Sequence, residues 1–240
     1  EQRATWEAIY DKKNEEFLKN PPVGKDLLRW KYQRYVKEYC RTIRSVDEQV
    51  GRLLDYLEEK GVLDNTVIVY TSDQGFLLGE HGLYDKRFMY EESFRTPLII
   101  SCPSLVKKHS VCKELVQNID LAPTFLSLAG VEVPKEMSGR SLLPLFKNGK
   151  AENWRNELYY HFYDYPAVGS VRKHDGIRTK RYKLIHWYGE GSGNDEAIDF
   201  WELYDLKKDV MEVNNVYDNP KYVKVREALT VQLEKLRKDV

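Results

Sequence analysis

The stretch NTVIVYTSDQGFLLGEHGLYDKRFMYEESFRTPLIIS, Asn65 to Ser101, decides how the chain is read. An apolar, β-branched run stops abruptly at Ser72-Asp73-Gln74-Gly75, and a second apolar run begins at Pro97. Continuous apolar runs of this length suit strands covered on both faces, as in a parallel sheet flanked by helices. Between them stand a carboxylate, an amide, an imidazole and an ammonium: Asp73, Gln74, His81 and Lys86. In open α/β sheets, functional groups collect just past the carboxyl ends of the strands. Asp73 and Gln74 would offer an adjacent carboxylate and carbonyl oxygen there, half of a site for Ca²⁺, which takes about six to eight oxygens. Taken alone, the residues leave two readings open. Asp73 can cap a turn, and His81, Lys86, Arg95, Glu91 and Glu92 can form a solvated, ion-paired surface. That reading leaves the density of unlike groups between two buried strands unexplained.

Upstream, Leu28, Tyr32, Tyr35, Tyr39, Ile43, Val46, Val50, Leu53 and Leu57 recur at spacings of three and four, so Asp26 to Lys60 is predicted as an amphipathic helix ended by Gly61. Downstream, NIDLAPTFLSLAG is predicted as a short helix with Asp120 as its N-cap and Gly130 at its end. MSGRSLLPLFKNGK, Met137 to Lys150, reads as loop. The order of helix, strand, loop, strand and helix is α/β grammar. After it the character changes. NELYYHFYDYP, DGIRTKRYKLIHWYG and DFWELYDLKKD are rich in Tyr and Trp and separated by Gly, Asn and Asp, the pattern of an antiparallel meander. Pro220 to Lys238 closes the chain as an amphipathic helix. A boundary is expected near 150, dividing 1–150 from 151–240. RYKLI and WELYDL are assigned to core, and His161 and His186 to structure.

Composition narrows the function classes. Lys+Arg and Asp+Glu balance at 38 each, so no global field draws the chain to nucleic acid or an acidic membrane. No apolar run approaches the roughly 20 residues of a membrane span. The first Met is Met89, so the chain is expected to be a piece of a longer protein with any targeting segment upstream. Cys40, Cys102 and Cys112 form no C-x-x-C pair, which argues against a metal–thiolate site. Cys102 and Cys112 bracket a short loop and could pair in an oxidising compartment.

The run VDEQVGRLLDYLEEKGVLDNTVIVYTSDQGFLLGEHGLYDKRFMYEESFRTPLII closely resembles the sulfatase family, with its S-D-[HNQ]-G, G-E-H-G, Lys and P-L arrangement after helix and strand. The likeness continues through IDLAPTFLSLAGVEVP and GRSLLPLF, and more loosely into the aromatic part. It implies an α/β architecture: part of an alkaline-phosphatase-like mixed sheet flanked by helices, followed by a small antiparallel sheet plus helix subdomain. It further implies a sulfuric ester hydrolase in which Asp73 and Gln74 are Ca²⁺ ligands and Lys86 grips the sulfate. His81 is expected near the mouth of the pocket, for leaving-group or substrate contact. Gln74 stands where the family also shows His or Asn, and all three offer one lone-pair donor.

A sulfate ester presents three oxygens that share charge while the S–O bond breaks, so catalysis asks for cations, a nucleophile and a proton source. In the family the nucleophile is a formylglycine made from the Cys or Ser of a C/S-x-P-x-R motif. Cys40 reads CRTIR, Cys102 CPSLV and Cys112 CKELV, so that motif is absent and the nucleophile is expected in the upstream half of the same protein. The chain alone is then expected to hold half a metal site and no turnover. The aromatic part most resembles carbohydrate sulfatases acting on 6-sulfated N-acetylglucosamine in glycosaminoglycan or mucin. His174, with Arg172 and Lys173, is the expected contact for that sulfated carbohydrate. The family's setting implies an exported protein: periplasmic, secreted or lysosomal. Two alternatives stand beside this reading, a phosphodiesterase or phosphonate monoester hydrolase of the same superfamily, and a non-catalytic glycan-binding relative.

Overall fold

The computed structural model describes residues 4, 8, 14, 15, 17–166, 170–191 and 196–238. The chain divides into two units, Glu1–Leu63 and Asp64–Val240. The first is dominated by helix α1, Gly24–Glu59, which runs the full length of the predicted apolar stripe. Gly61, at φ 67°, takes the left-handed conformation foreseen for it. Its N–H donates to the carbonyl of Glu58 and that of Val62 to Leu57, at 2.8 and 3.0 Å. This pair of bonds is the Schellman ending, which satisfies carbonyls the helix itself leaves open. None of the residues of α1 is buried.

In the second unit, β1 (Ile68–Thr71) and β4 (Leu98–Ser101) occupy the two apolar runs. They do not form a parallel pair. They lie antiparallel in the register Ile68↔Ser101 to Thr71↔Leu98. The connection explains the correction, because a parallel pair needs a crossover of a dozen or more residues, usually a helix packed back on the sheet. Here the intervening chain holds β2 (Leu77–Leu78), a 3₁₀ turn (Glu80–Gly82), β3 (Tyr84–Asp85) and the single-turn helix α2 (Glu91–Phe94), none of them a crossover helix. It doubles back, and the Thr71 hydroxyl donates to the Pro97 carbonyl at 2.9 Å to close the neck.

Helix α3, Leu121–Leu128, ends at Gly130 as expected, at φ 70°. Asp120 does not cap it through its side chain. The fully buried carboxylate instead accepts from the backbone N–H groups of Gln117 and Arg140, each at 2.8 Å, and pairs with the guanidinium of Arg155. It thereby ties three separated segments together. Within the passage read as loop, Leu143–Phe146 forms a short helix, α4, whose Leu145 and Phe146 are buried.

The antiparallel meander is present as a four-stranded sheet in the order β5-β6-β7-β8. The strands are Glu157–Phe162, His174–Thr179, Tyr182–Gly189 and Ile198–Asp205. Because strand side chains alternate faces, the sheet carries two cores. On one face Ile177, Leu184 and Leu203 meet Leu229 and Leu233 of α5, Val223–Leu236. On the other, Ile185, Trp187 and Tyr204 bury Met89, flanked by Phe88, Tyr90 and Phe94. Gly176 permits that contact: a Cβ there would stand 2.5 Å from the Met89 sulfur and 2.4 Å from the Leu184 carbonyl oxygen.

Truncating Leu203, fully buried between Leu184 and α5, removes part of the first core. Leu203→Ala is expected to cost about 2–5 kcal/mol, seen in urea titrations as a lower midpoint with unchanged slope. A midpoint equal to that of the parent chain would show that this face is not a cooperative part of the core.

Candidate functional site

Strand β1 ends at Thr71, two residues before Asp73, and hydrogen bonds to the backbone of the loop after it hold that loop in place. The Ser72 hydroxyl donates to the Gln74 carbonyl at 2.8 Å, and the Asn118 side-chain amide donates to the Asp73 carbonyl at 3.2 Å. The N–H of Gly75 donates to the Ser93 carbonyl at 2.8 Å. Only glycine fits there, because a Cβ would lie 2.0 Å from the Glu92 carbonyl oxygen. The loop is therefore pinned to α2 with Asp73 exposed and Gln74 half-buried.

The β2–β3 hairpin returns the chain to the same place. Leu77 pairs with Asp85, so Lys86 lies one step beyond the ladder, level with Phe76 and two residues from Gln74. On either side of Lys86, Asp85 and Arg87 adopt φ of 80° and 89°, where non-glycine residues are uncommon. The Arg87 guanidinium reaches the Asp85 carboxylate at 2.6 Å across the half-buried lysine between them. Such backbone strain, of order 1–3 kcal/mol per residue, persists only where the surroundings impose it, and it clusters at functional sites.

His81 is itself left-handed, at φ 56°. Its ring stacks on Tyr90 with centroids 4.3 Å apart, and its Nε2 lies 3.6 Å from a Glu92 carboxylate oxygen. The S-D-Q-G loop and the E-H-G turn thus meet on the same short helix, α2. Tyr90 in turn donates to Glu202, which also accepts from the Trp187 indole at 2.8 Å. Burial, reinforced by Glu202, pushes the Tyr90 phenol well above its ordinary value, so it remains a hydrogen-bond donor.

What fixes this segment to the sheet is Lys183, fully buried on β7. Its ammonium donates to the Met89 carbonyl at 2.6 Å and pairs with Glu91 at 2.9 Å and Glu212 at 2.6 Å. Glu212 also accepts the Glu91 backbone N–H at 2.6 Å, and Arg178 reaches the Glu91 carboxylate at 3.2 Å. Burial alone would raise the Glu91 pKa, but the neighbouring cations Lys183 and Arg178 hold it below the ordinary carboxylate range. The core assignment of RYKLI concealed this lysine. The signal was its parity: Lys183 shares its strand face with Ile185 and Trp187, both buried.

The second expected cluster, Arg172, Lys173 and His174, is not an exposed turn throughout. His174 is fully buried, with its ring stacked on Trp187 at 4.2 Å and Nδ1 2.8 Å from the Arg172 carbonyl oxygen. Its side chain therefore packs behind the surface of this sheet. Arg172 lies 4.8 Å over the Tyr165 ring, and the Lys173 carbonyl accepts the Tyr188 N–H at 3.0 Å; both residues are half-buried. His186, assigned to structure, stacks on Trp201 at 4.0 Å and contacts Asp199 at 2.9 Å. Cys102 and Cys112 remain free thiols, Cys102 buried and Cys112 exposed, so the disulfide option is not taken. Among the described residues, no group of three or more His, Cys, Asp or Glu side chains could hold a metal ion, and no helix is long and apolar enough to cross a membrane.

A family model described as "Sulfatase" matches residues 3–131, and one described as "N-sulphoglucosamine sulphohydrolase, C-terminal" matches residues 79–239. The chain is 50% identical to an N-acetylglucosamine-6-O-sulfatase of Bacteroides thetaiotaomicron over 97% of its own length and 41% of that protein. It is 40% identical to the Homo sapiens N-acetylglucosamine-6-sulfatase over 51% of its own length and 22% of that protein. A solved structure described as a complex with the substrate D-glucosamine-2-N,6-O-disulfate matches with a TM-score of 0.89 at 50% identity, covering 97% of this chain and 46% of that one. The chain therefore spans less than half the length of these relatives.

Burial lowers the His174 pKa from 6.5 to about 4, which favours the neutral ring in the folded state. The unfolded chain then binds more protons between those two values, so this contribution to stability is complete above pH 6.5 and is lost as the pH falls toward 4. At 1.36 kcal/mol per pKa unit it amounts to about 3 kcal/mol. Urea midpoints should fall over that window, and His174→Phe should flatten the fall relative to the parent. Parallel pH profiles for the two proteins would exclude a buried neutral histidine.

Proposed function

Since the chain belongs to the sulfatase family, we propose that it supplies one half of the active site of a sulfuric ester hydrolase, acting on a carbohydrate such as 6-sulfated N-acetylglucosamine in glycosaminoglycan or mucin. The observation that carries this is the pinning of the S-D-Q-G loop and the strained Lys86 segment around α2, through Gly75–Ser93 on one side and the Leu77↔Asp85 register on the other. The named activities of the relatives supply the substrate class.

The donor set fits Ca²⁺. Asp73 offers an exposed carboxylate and Gln74 an amide oxygen, both hard donors, on a loop whose backbone is already satisfied. Bound there, the ion would place positive charge on the non-bridging sulfate oxygens. Lys86 contributes a compact ammonium, a point charge, to the same anion. His81, held between Tyr90 and Glu92, would contact the leaving group. The remaining metal ligands and the formylglycine nucleophile belong to the upstream half of the same protein. In this reading 1–150 is part of the catalytic α/β domain, and 151–240 is the antiparallel-sheet and helix subdomain that holds the 88–94 segment in place. The protein is exported, to periplasm, lysosome or the cell exterior, where sulfated glycans are degraded.

The test uses the complete protein and a 6-sulfated N-acetylglucosamine substrate. Asp73→Ala and Lys86→Ala are each expected to lower kcat by at least about 10²-fold, the loss seen when one charge-stabilising group is deleted. Turnover within a few-fold of the parent would remove both residues from the chemistry.

A further inference from the structure

The α5 face of the sheet, opposite the face that carries Met89 and the 88–94 segment, opens beside the β6–β7 turn into a cleft of about 410 Å³. Its polar walls are Arg181, Tyr182, Lys208, Asn219, Lys221 and Tyr222. Three cations face it. The carboxylate beside them, Asp205, is 2% exposed and already occupied: Arg181 donates to both its oxygens, at 2.9 and 2.8 Å, and the Tyr222 hydroxyl donates at 3.2 Å. Three cations less one carboxylate leave +2, on a chain whose formal net charge is zero. The cations are also held in place. Arg181 lies 4.9 Å over the Tyr182 ring, and Lys208 lies 5.3 Å over the Tyr222 ring with its Nζ 3.0 Å from the Tyr222 hydroxyl. Lys221 is exposed, with its backbone N–H anchored on the Asn219 side chain at 3.0 Å.

We propose that this cleft is a second docking site for a sulfated polysaccharide chain, distinct from the site that carries Asp73 and Lys86; the substrate class rests on the reading under Proposed function. Fixed cations around a cleft match sulfate groups spaced along a polymer, and the Asn219 amide adds a donor and an acceptor for sugar hydroxyls. The Tyr182 ring carries the Arg181 guanidinium and the Tyr222 hydroxyl holds Lys208, so the tyrosines fix charge in position and do not form the open stacking platforms that unpaired bases require. A polymer held here stays attached while the chemistry on the other face of the sheet acts on a different part of it. This raises effective concentration without adding a contact at the reacting group.

The test is binding of heparin to this chain by calorimetry across a salt series. Lys208→Ala/Lys221→Ala is expected to weaken binding at least tenfold and to flatten the slope of log K against log salt by about two counterions, by the polyelectrolyte argument made for nucleic acids. Lys208→Arg/Lys221→Arg keeps the charge and is expected to bind within about threefold of the parent, which separates lost charge from lost fold. The control pair Lys25→Ala/Lys31→Ala, on α1, is expected to leave affinity unchanged. The proposal is overturned if the double alanine variant binds as the parent does or if the α1 pair loses as much. It is equally overturned if Lys86→Ala alone accounts for the loss, or if a single-stranded oligonucleotide of matched charge binds as tightly as heparin. Hydrolysis plays no part in this measurement, so its failure leaves the catalytic reading standing, and inactivity of the complete protein would leave the cleft untouched.

Discussion

The ammonium of Lys183 is the contact on which the candidate site depends. A charge taken from water into a core is strongly unfavourable unless oxygens surround it, and here a carbonyl and two carboxylates do so. Replacing such a cluster by apolar residues is often neutral for stability, so its presence is not explained by stability alone. Its geometry points to order. Two of the three oxygen groups belong to residues 89 and 91, immediately after Lys86 and at the start of α2, and the third, Glu212, binds the backbone of Glu91 as well. An apolar side chain at 183 would fill the space without specifying where that segment stops along the sheet. The ammonium specifies it, because the segment must deliver its carbonyl and its carboxylate to one point.

From that anchor the remaining positions follow. Met89 rests on Gly176, Tyr90 reaches Glu202, and His81 stacks on Tyr90. Ser93 receives the Gly75 N–H, which sets the exit of β1. The strained φ values at Asp85 and Arg87 lie just upstream of the clamp, where the chain passes from the two-residue hairpin to the sheet. Strain of that kind would relax in a free loop, so the clamp and the hairpin together are what maintain it. The C-terminal sheet therefore positions the candidate site in a mechanical sense, through its hold on residues 89–91.

Much of this was legible in the sequence, for physical reasons that can be named. The 3.6-residue stripe of α1 and the alternation in DGIRTKRYKLIHWYG are local signals, and both elements form where expected. Asp73 and Lys86 stood out as candidates because unlike charged and polar groups are dense between two apolar runs. The pairing direction of β1 and β4 was not legible, because it depends on how the intervening chain folds back and not on the apolar content of either strand. His174 was misplaced because an Arg-Lys-His-Asp run looks solvated, whereas register with Trp187 turns the imidazole inward. Lys183 was hidden by the opposite error: a charged residue inside an apolar strand reads as a tolerated exception until its three oxygen partners are seen to come from distant positions.

The balance of charge over the whole chain bears on both faces of the sheet. With acidic and basic residues equal in number, long-range attraction to a polyanion is negligible, so affinity for one must come from local arrangement. Two arrangements of opposite character are present. Around Lys183 the cations face inward and are spent on carboxylates, which builds position. Around Arg181 a single buried carboxylate, Asp205, orients that cation, lies 3.8 Å from Lys208 and leaves Lys221 facing solvent. Neighbouring residues of one strand, Tyr182 and Lys183, point into these two environments because a strand alternates its faces with a period of two. One β-strand thus separates a cluster that fixes geometry from one that can receive a ligand, and a shift of register by one residue would exchange and destroy both.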